Sequence, residues 1–249
     1  MHHPDFIKLV IHMHKLFFGV VLSGVVVNLA YAANDLTVDM SDPLFIQART
    51  GLLSQTGLDY FDNGLRIGQS LSYGLSDRFV FGGNVHYQID FDGQQDGFSS
   101  IDLGGIYRMG MASENNRHLI YDVLFGLKFG GSERVRTPDY ADSTYYVGFR
   151  FGRQYDGVTA AATIKSSWIF QDVGMAFIDV IPEIYFRVNQ YWRVGANFAL
   201  RKATDPHYDQ ETIGFKVVRQ YGRTQYAGHF DYEFESESVA TGVLVNILF

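Results

Sequence analysis

The sequence predicts an all-β protein, an antiparallel transmembrane β-barrel of about twelve strands. Bulky apolar residues alternate with small or polar residues along most of the chain from about residue 46 onwards. Aromatic residues make up 16% of the chain and glycine occurs 26 times, yet the mean hydropathy is only −0.05. Strands with one face on lipid and the other on an aqueous lumen have this composition and this period of two, whereas a bundle of membrane helices would be more apolar.

Residues 1–32 are predicted to be a cleaved signal peptide. Lys15 precedes an apolar run, and the tripeptide Ala30-Tyr31-Ala32 ends it. A basic start, a short apolar core and a small-x-small cleavage site define a secretory signal. Translation from Met13 would give a compact signal peptide. An uncleaved anchor helix is the alternative, although such a helix needs about 20 apolar residues.

The clearest strand is predicted at 78–90, where the odd positions are apolar and the even positions are small or polar. Phe79 and Phe81 lie on the first face, and Asn84 and His86 lie on the second. The same rule applied along the chain gives strands of about 10–14 residues, long enough to cross a bilayer at the tilt of a barrel strand. The predicted strands are 46–57, 64–75, 78–90, 99–109, 117–130, 143–153, 158–170, 176–189, 191–203, 211–221, 224–234 and 238–249.

Three of these strands have irregular features. Pro182 lies in the middle of strand 176–189, and proline has no backbone N–H to donate to the strand ladder. We therefore expect a bulge or another local irregularity there. Strands 46–57 and 158–170 have the weakest alternation, the second because small residues occupy its apolar face.

Short and long connections alternate between the predicted strands. With twelve strands, both ends of the chain lie on the side of the tight turns, and ten strands with a longer N-terminal tail would satisfy the same parity. The residues from 33 to the first strand are expected to form a short lead-in on that side, and no segment resembles a plug domain or an inserted helix. Tight turns are predicted at 76–77, 155–157, 190 and 222–223, a somewhat longer one at 110–116, and longer polar loops at 90–99, 131–142, 171–174 and 204–210.

The chain ends on an alternating strand whose last residue is aromatic. Val245, Ile247 and Phe249 share one face with the apolar positions before them, and Asn246 lies on the other face. This ending resembles the C-terminal assembly signal of bacterial outer-membrane β-barrel proteins. With the predicted signal peptide and the strand-turn pattern, the whole chain resembles the porin-like members of that superfamily.

The resemblance implies an integral protein of the bacterial outer membrane, exported through a cleaved signal peptide, with short periplasmic turns and longer extracellular loops. The implied partners are outer-membrane lipid, lipopolysaccharide and the barrel assembly machinery. Phe249, Ile247 and Val245 are the residues that this machinery would read.

An edge strand of a soluble β-sandwich is the alternative interpretation of the C-terminal strand. The outer faces of a sandwich are polar, whereas one complete face of most predicted strands is bulky and apolar here. Membrane barrels carry aromatic girdles near their strand ends. The residues that suit this position are Trp168, Phe170, Tyr191 and Trp192.

Composition excludes several kinds of site. Cysteine is absent, so neither a disulfide framework nor a thiolate metal site can form. The formal net charge is −7, so the chain has no general attraction for nucleic acid. We find no nucleotide-binding, zinc-binding or nucleophile-elbow motif and predict no cofactor. Acidic residues cluster in the predicted loops, where divalent ions could bridge them to lipopolysaccharide phosphates.

Charges of both signs lie on the faces predicted to point inward. One interpretation is a salt-bridged, water-lined interior that stabilises the barrel, and the other is a selectivity constriction in a water-filled pore. Eight strands leave a filled interior and sixteen to eighteen leave an open channel; twelve lie between, and many inward glycines leave space. The candidate lumen-lining residues are Arg150, Lys165, Lys216, Asp122, Glu183, His229 and Asp231.

The sequence therefore predicts a narrow outer-membrane channel for passive diffusion of small hydrophilic solutes. A slight excess of basic residues on the inward faces weakly favours anionic or zwitterionic solutes. The alternative is a structural or surface-interaction barrel, adhesin-like or receptor-like, without an open pore.

A barrel hydrolase is a third hypothesis with little support. Outer-membrane phospholipases carry a His and a Ser two residues apart on one strand face, but His86 and His229 are followed at that spacing by Gln88 and Asp231. His229 and Asp231 share a face, and this short stretch resembles the Asp/His chemistry of omptin-type proteases. An ion network explains the pair better, so we predict no enzymatic activity.

Overall fold

Twelve antiparallel strands close into one barrel in the computed structural model. The structure describes residues 39–61, 64–91, 96–110, 119–130, 143–155, 157–170 and 175–249; the predicted signal peptide lies outside these residues. A short 3-10 helix spans Pro206–Tyr208, and no helix within these ranges is long and apolar enough to cross a membrane. The strands are β1 Leu52–Phe61, β2 Gly64–Ser76, β3 Phe79–Asp90, β4 Gly97–Gly110, β5 Ile120–Gly130, β6 Thr144–Tyr155, β7 Val158–Ile169, β8 Ala176–Arg187, β9 Trp192–Ala203, β10 Gln210–Tyr221, β11 Thr224–Glu233 and β12 Ser238–Leu248.

Each strand pairs with its neighbours in the chain, and β1 pairs with β12 to close the sheet. The closing pairs run from Leu53 opposite Leu248 to Phe61 opposite Ala240. The predicted fold class and the count of twelve strands are confirmed, and the ten-strand alternative is wrong. Closure leaves no open edge, which is the condition for a sheet that crosses a membrane.

The two faces of the wall differ as the alternation predicts. Phe149 and Val243 point outward and are 56% and 57% exposed, whereas Asp122 and Asn246 point inward and are each 1% exposed. A continuous belt of exposed aromatic and aliphatic side chains is the surface that a barrel presents to lipid. Trp168 stacks on Tyr145 near the end of β7, and so contributes to the aromatic girdle.

Pro182 interrupts the pairing of β8 with β9. The pairs stop after Val180 opposite Leu200 and resume at Glu183 opposite Asn197 in the same register. The missing donor therefore opens the ladder locally without a shift, which confirms the predicted irregularity. Register shifts occur instead at Gly74/Ser76, His86/Tyr87 and Arg108/Gly110.

The connections follow the predicted alternation with one exception. The turns after β2, β6, β8 and β10 are short, and most connections on the opposite side are longer. The connection of β4 to β5 spans residues 111–119 and is longer than the other turns on its side, as predicted for 110–116. The connection of β1 to β2 spans only residues 62–63 on the longer-loop side, so the loop prediction does not hold for this hairpin.

The first predicted strand is wrong at its start. Strand β1 begins at Leu52, and residues 39–51, here named the luminal segment, enter the barrel. Thr50 has a φ of 65°, and this left-handed turn redirects the chain from the lumen into the wall. Leu44 is 1% exposed and packs with Ile120 of β5 and Ala161 of β7. The predicted short lead-in without a plug is therefore replaced by a segment inside the lumen.

Candidate functional site

The luminal segment crosses the barrel at the end of the short turns. Near β1, the amide of Gln47 donates to the hydroxyl of Ser72 on β2. Further along, Arg108 of β4 donates to the carbonyl of Leu44, and the Thr159 hydroxyl of β7 donates to Asp42. The segment therefore contacts both sides of the wall and narrows the lumen at this level.

Asp39 fixes the other end of the luminal segment. Its carboxylate accepts from Arg193 Nε at 2.6 Å, from the Tyr185 hydroxyl at 3.0 Å and from Gln225 Nε2 at 3.1 Å. Arg193 is 1% exposed, and the Asp39 side chain is 13% exposed, so this ion pair is largely shielded from solvent. A buried charge is tolerated where it is paired and its remaining hydrogen bonds are satisfied.

Buried amides connect the luminal segment to the seam between the first and last strands. Gln55 of β1 donates to Asn246 of β12, which donates to Gln225 of β11, each at 3.3 Å. The Ser41 hydroxyl donates to the same Gln225 at 2.6 Å. Barrel closure and placement of the segment therefore share one hydrogen-bond network.

A basic triad lies near the same end, on β4 to β6. Asp122 accepts from Arg108 Nε at 2.8 Å and from Arg150 Nε at 2.9 Å, and its side chain is fully buried. Three side chains on neighbouring strands meet here because inward positions lie opposite each other in the register. Two guanidinium groups around one carboxylate leave a local excess of one positive charge.

A second triad of the same sign lies further along the lumen, on β7 to β9. Asp179 lies 3.1 Å from Lys165 Nζ and accepts from Arg201 Nε at 2.7 Å. These strands hold the three residues at one level, since Asp179 is opposite both partners in the register. This side of the lumen is again locally positive.

A triad of the opposite sign lies on β11 and β1. His229 Nε2 is 3.3 Å from Asp59 and 3.7 Å from Asp231. The first predicted strand ends at residue 57, so Asp59 is not among the predicted lumen-lining residues. The pairing of β1 with β12 puts Asp59 on the inward face, opposite Gly242. Leu58 and Tyr60 are apolar and face outward, so continuing the alternation past residue 57 would have placed Asp59 on the inward face.

The predicted lumen-lining residues all occupy inward positions of their strands. The structure brings together Arg150 with Asp122 and His229 with Asp231, and it places Lys216 Nζ 3.9 Å from Glu183. Lys165 joins Asp179, a partner that the sequence does not single out. Asp39 and Asp42 are not predicted from the sequence, because the residues before β1 have no alternating pattern that would indicate their entry into the barrel.

The predicted assembly residues lie at the closing seam. Phe249 pairs with Leu52 through backbone hydrogen bonds, with its N–H donating at 2.8 Å, and its side chain is exposed. Val245 and Ile247 alternate with the inward Asn246 and face outward. Their recognition by the assembly machinery stays a prediction.

A cavity of about 310 Å³ lies in the lumen between the luminal segment and strands β8 to β12. Met40 and Ser41 close it on the short-turn side. Charged and polar side chains share its walls with glycines and with apolar residues such as Ala227 and Leu244. Within the described ranges, no group of three or more His, Asp and Glu residues is placed to hold a metal ion. The arrangement suits reversible contact with a polar solute.

Comparison with solved structures identifies the fold. A KdgM porin in complex with disordered oligogalacturonate superimposes with a TM-score of 0.62 at 12% identity, over 78% of this chain and 98% of the porin. A NanC porin gives 0.61 at 8% identity, over 79% and 98%. An outer-membrane channel from Pseudomonas putida F1 gives 0.60 at 10% identity, over 85% and 100%.

No family model matches the sequence, and no curated protein does. The likeness is therefore one of fold, and it confirms the predicted closed, antiparallel β-barrel.

Proposed function

We propose that the protein is an outer-membrane channel for passive diffusion of small hydrophilic solutes through a narrow charged lumen. The observation that carries the proposal is the polar interior: charged triads and a cavity of about 310 Å³ lie inside a wall whose outside is apolar. A purely structural barrel of twelve strands needs no such cavity, since apolar side chains could fill it.

Charges of both signs lie inside the lumen, and they are not mixed evenly. The triads centred on Asp122 and Asp179 each hold two cations around one anion, and the triad on His229 holds two anions around one imidazole. A solute moving along the lumen therefore passes a positive side and a negative side. Local potentials of this kind set selectivity through their strength and spacing, screened over about 8 Å at physiological salt.

The luminal segment favours a second candidate, a barrel without an open pore. It crosses the short-turn end, and its contacts with Ser72, Thr159 and Arg193 lie on different sides of the wall. Under the channel proposal, the segment restricts the pore to small solutes. Under the second candidate, it seals the pore.

Planar-bilayer conductance of the purified mature protein separates these candidates. The channel proposal expects discrete current steps, and entry of small sugars and amino acids into proteoliposomes in a swelling assay. Heat-denatured protein in the same detergent is the control. A folded barrel, shown by a gel mobility that changes on heating, without current steps or swelling would reject the channel and favour the sealed barrel.

A further inference from the structure

One pair of opposite charges on the cavity wall, Lys216 and Glu183, is not joined by a direct hydrogen bond. Lys216 Nζ lies 3.9 Å from Glu183 Oε2, beyond hydrogen-bond distance. Lys216 donates to the Ser41 carbonyl at 3.1 Å and lies 5.0 Å from the centre of the Tyr185 ring. An ammonium group has three donors, so this one keeps capacity for an acceptor. The side chains of Lys216 and Glu183 are 28% and 20% exposed, and both line the cavity.

Glu183 has the matching capacity for a donor. Among the residues that the structure describes, no hydrogen bond reaches its carboxylate, and Lys216 is its only ion-pair partner. The ammonium group of Lys216 on β10 and the carboxylate of Glu183 on β8 thus approach each other across β9, the strand that carries Gly195. The wall presents one group of each sign to whatever occupies the cavity.

Glycines keep the space in front of these groups open. A Cβ at Gly195 would lie 2.7 Å from Lys216 Cε, so the lysine side chain lies flat across this glycine. A Cβ at Gly214 would collide with the side-chain oxygens of Asn197 and Asp231, which lie flat in the same way. Side chains on three strands therefore pack along the wall instead of filling the cavity.

The charges around the cavity select between classes of solute. A solute with only a carboxylate would meet Lys216 favourably but would be repelled by Glu183 and Asp231. A solute with only an ammonium group would meet these two carboxylates favourably but would leave the remaining donors of Lys216 without an acceptor. His229 lies between Asp59 and Asp231 and offsets part of their charge. A solute with both groups satisfies Glu183 and Lys216 together, through charge-assisted hydrogen bonds that are stronger than neutral ones.

We propose that this cavity binds a small zwitterion of the α-amino-acid type, with its ammonium group at Glu183 and its carboxylate at Lys216. The proposal rests on the proposed channel function and names its solute class. A cavity of about 310 Å³ is at the lower end of the range for small-molecule sites. An amino acid fits this size.

The test uses three probes of equal size class on the full mature protein in detergent micelles. L-Serine carries both charges, ethanolamine lacks the carboxylate, and glycerate has a hydroxyl in place of the ammonium group. Titration calorimetry or ligand-observed NMR should show serine bound at least tenfold more tightly than either analogue. Serine binding no tighter than that of both analogues would overturn the proposal.

Two variants separate the roles of the charged groups. Glu183→Gln should remove the preference for serine over glycerate, and Lys216→Gln should remove the preference for serine over ethanolamine. Lys202→Gln is the matched control, because Lys202 lies at the exposed end of β9 and pairs with Asp209 outside the cavity. Equal loss of all three probes in each variant would show that the cavity does not match charges, and would also overturn the proposal.

A further variant guards against a folding defect in the charge substitutions. Gly195→Ala should push the flexible end of Lys216 into the cavity and weaken serine binding severalfold, while the heat-dependent gel mobility stays that of the wild type. Unchanged serine affinity in this folded variant would contradict the placement of Lys216.

Binding and conductance are separate measurements. Selective serine binding without current steps would reject the channel and keep the zwitterion site. Current steps without selective binding would keep the channel and reject the zwitterion site.

Discussion

At the residue scale, Asp122 shows how a barrel interior holds charge. Its carboxylate is fully buried, yet Arg108 and Arg150 supply hydrogen bonds to both of its oxygens. Removing one partner of such a group leaves an uncompensated buried charge, and this costs far more than the intact pair contributes. The sequence predicts Asp122 and Arg150 as lumen-lining residues, but it does not show that they form one unit.

We expect Asp122→Ala to destabilise the folded barrel by roughly 3–5 kcal/mol, because two guanidinium groups lose their common acceptor. Denaturant unfolding in detergent, followed by heat-dependent gel mobility, measures the change. Glu235→Ala is the control, since Glu235 is exposed in the turn between β11 and β12 and its removal should change stability little. Equal stability of both variants would contradict the structural role of the triad.

At the element scale, two parts of the chain determine how the barrel is closed. Strand β12 pairs with β1 and completes the wall. The luminal segment forms hydrogen bonds with opposite sides of this wall. The strand alternation predicts the first of these elements within one residue. The second is an irregular segment with no period, so its location depends on contacts with distant residues such as Arg193 and Gln225.

Loosening the luminal segment should widen the pore. In Asp39→Asn with Asp42→Asn, the charge-assisted bonds to Arg193 and Thr159 are weakened, and we expect the single-channel conductance to rise severalfold. Bilayer recordings measure the change, and Asp209→Asn serves as the control. A conductance equal to that of the wild type, in a folded protein, would show that the segment does not limit the current.

Deletion of Phe249 should lower the amount of protein in the outer membrane and raise its periplasmic degradation. The residue ends the outward face of β12, the position that the assembly machinery is expected to read. Once folded, the barrel should lose little stability, because the side chain is exposed and contributes only the last backbone pair. Cell fractionation and surface labelling measure the amounts. Unchanged surface levels would count against the assembly-signal prediction.

At the scale of the whole molecule, a single closed β-sheet separates an apolar exterior from a charged interior. The outward positions carry the lipid-facing belt, and the inward positions carry triads whose signs differ from one side of the lumen to the other. The barrel therefore combines the predicted salt-bridged interior with space for a solute. The ion pairs around Asp122 and the cavity beside Lys216 occupy different parts of one lumen.

The partly exposed lysines of the lumen should influence the preference of the channel for anions over cations. Lys165 and Lys216 are 31% and 28% exposed, whereas Arg150 is held by buried Asp122. Replacing both lysines by Gln should shift the reversal potential in a salt gradient toward cation preference, most clearly at low salt, where screening is weak. Lys202→Gln should leave it unchanged. A reversal potential that is the same in the double variant and the wild type would show that these two lysines do not lie at the constriction.

The mature chain should begin near Ala33. A basic residue, an apolar run and Ala30-Tyr31-Ala32 follow one another in the order of a cleaved signal. N-terminal sequencing of protein extracted from outer membranes tests this expectation. Recovery of Met13 or Leu16 as the first residue would reject cleavage and favour an anchor.

The period of two determined most of this fold from sequence alone. Alternation fixes which side chains meet lipid and which meet the lumen, and the turn residues limit each hairpin, so eleven strands lie close to their predicted bounds. Closure of the sheet decided the rest. It brought Asp59 to His229, drew residues 39–51 across the lumen, and set Lys216 beside Glu183 without a direct bond. These contacts join residues far apart in the chain, and local periodicity carries no information about such pairs; only the register of a closed barrel does.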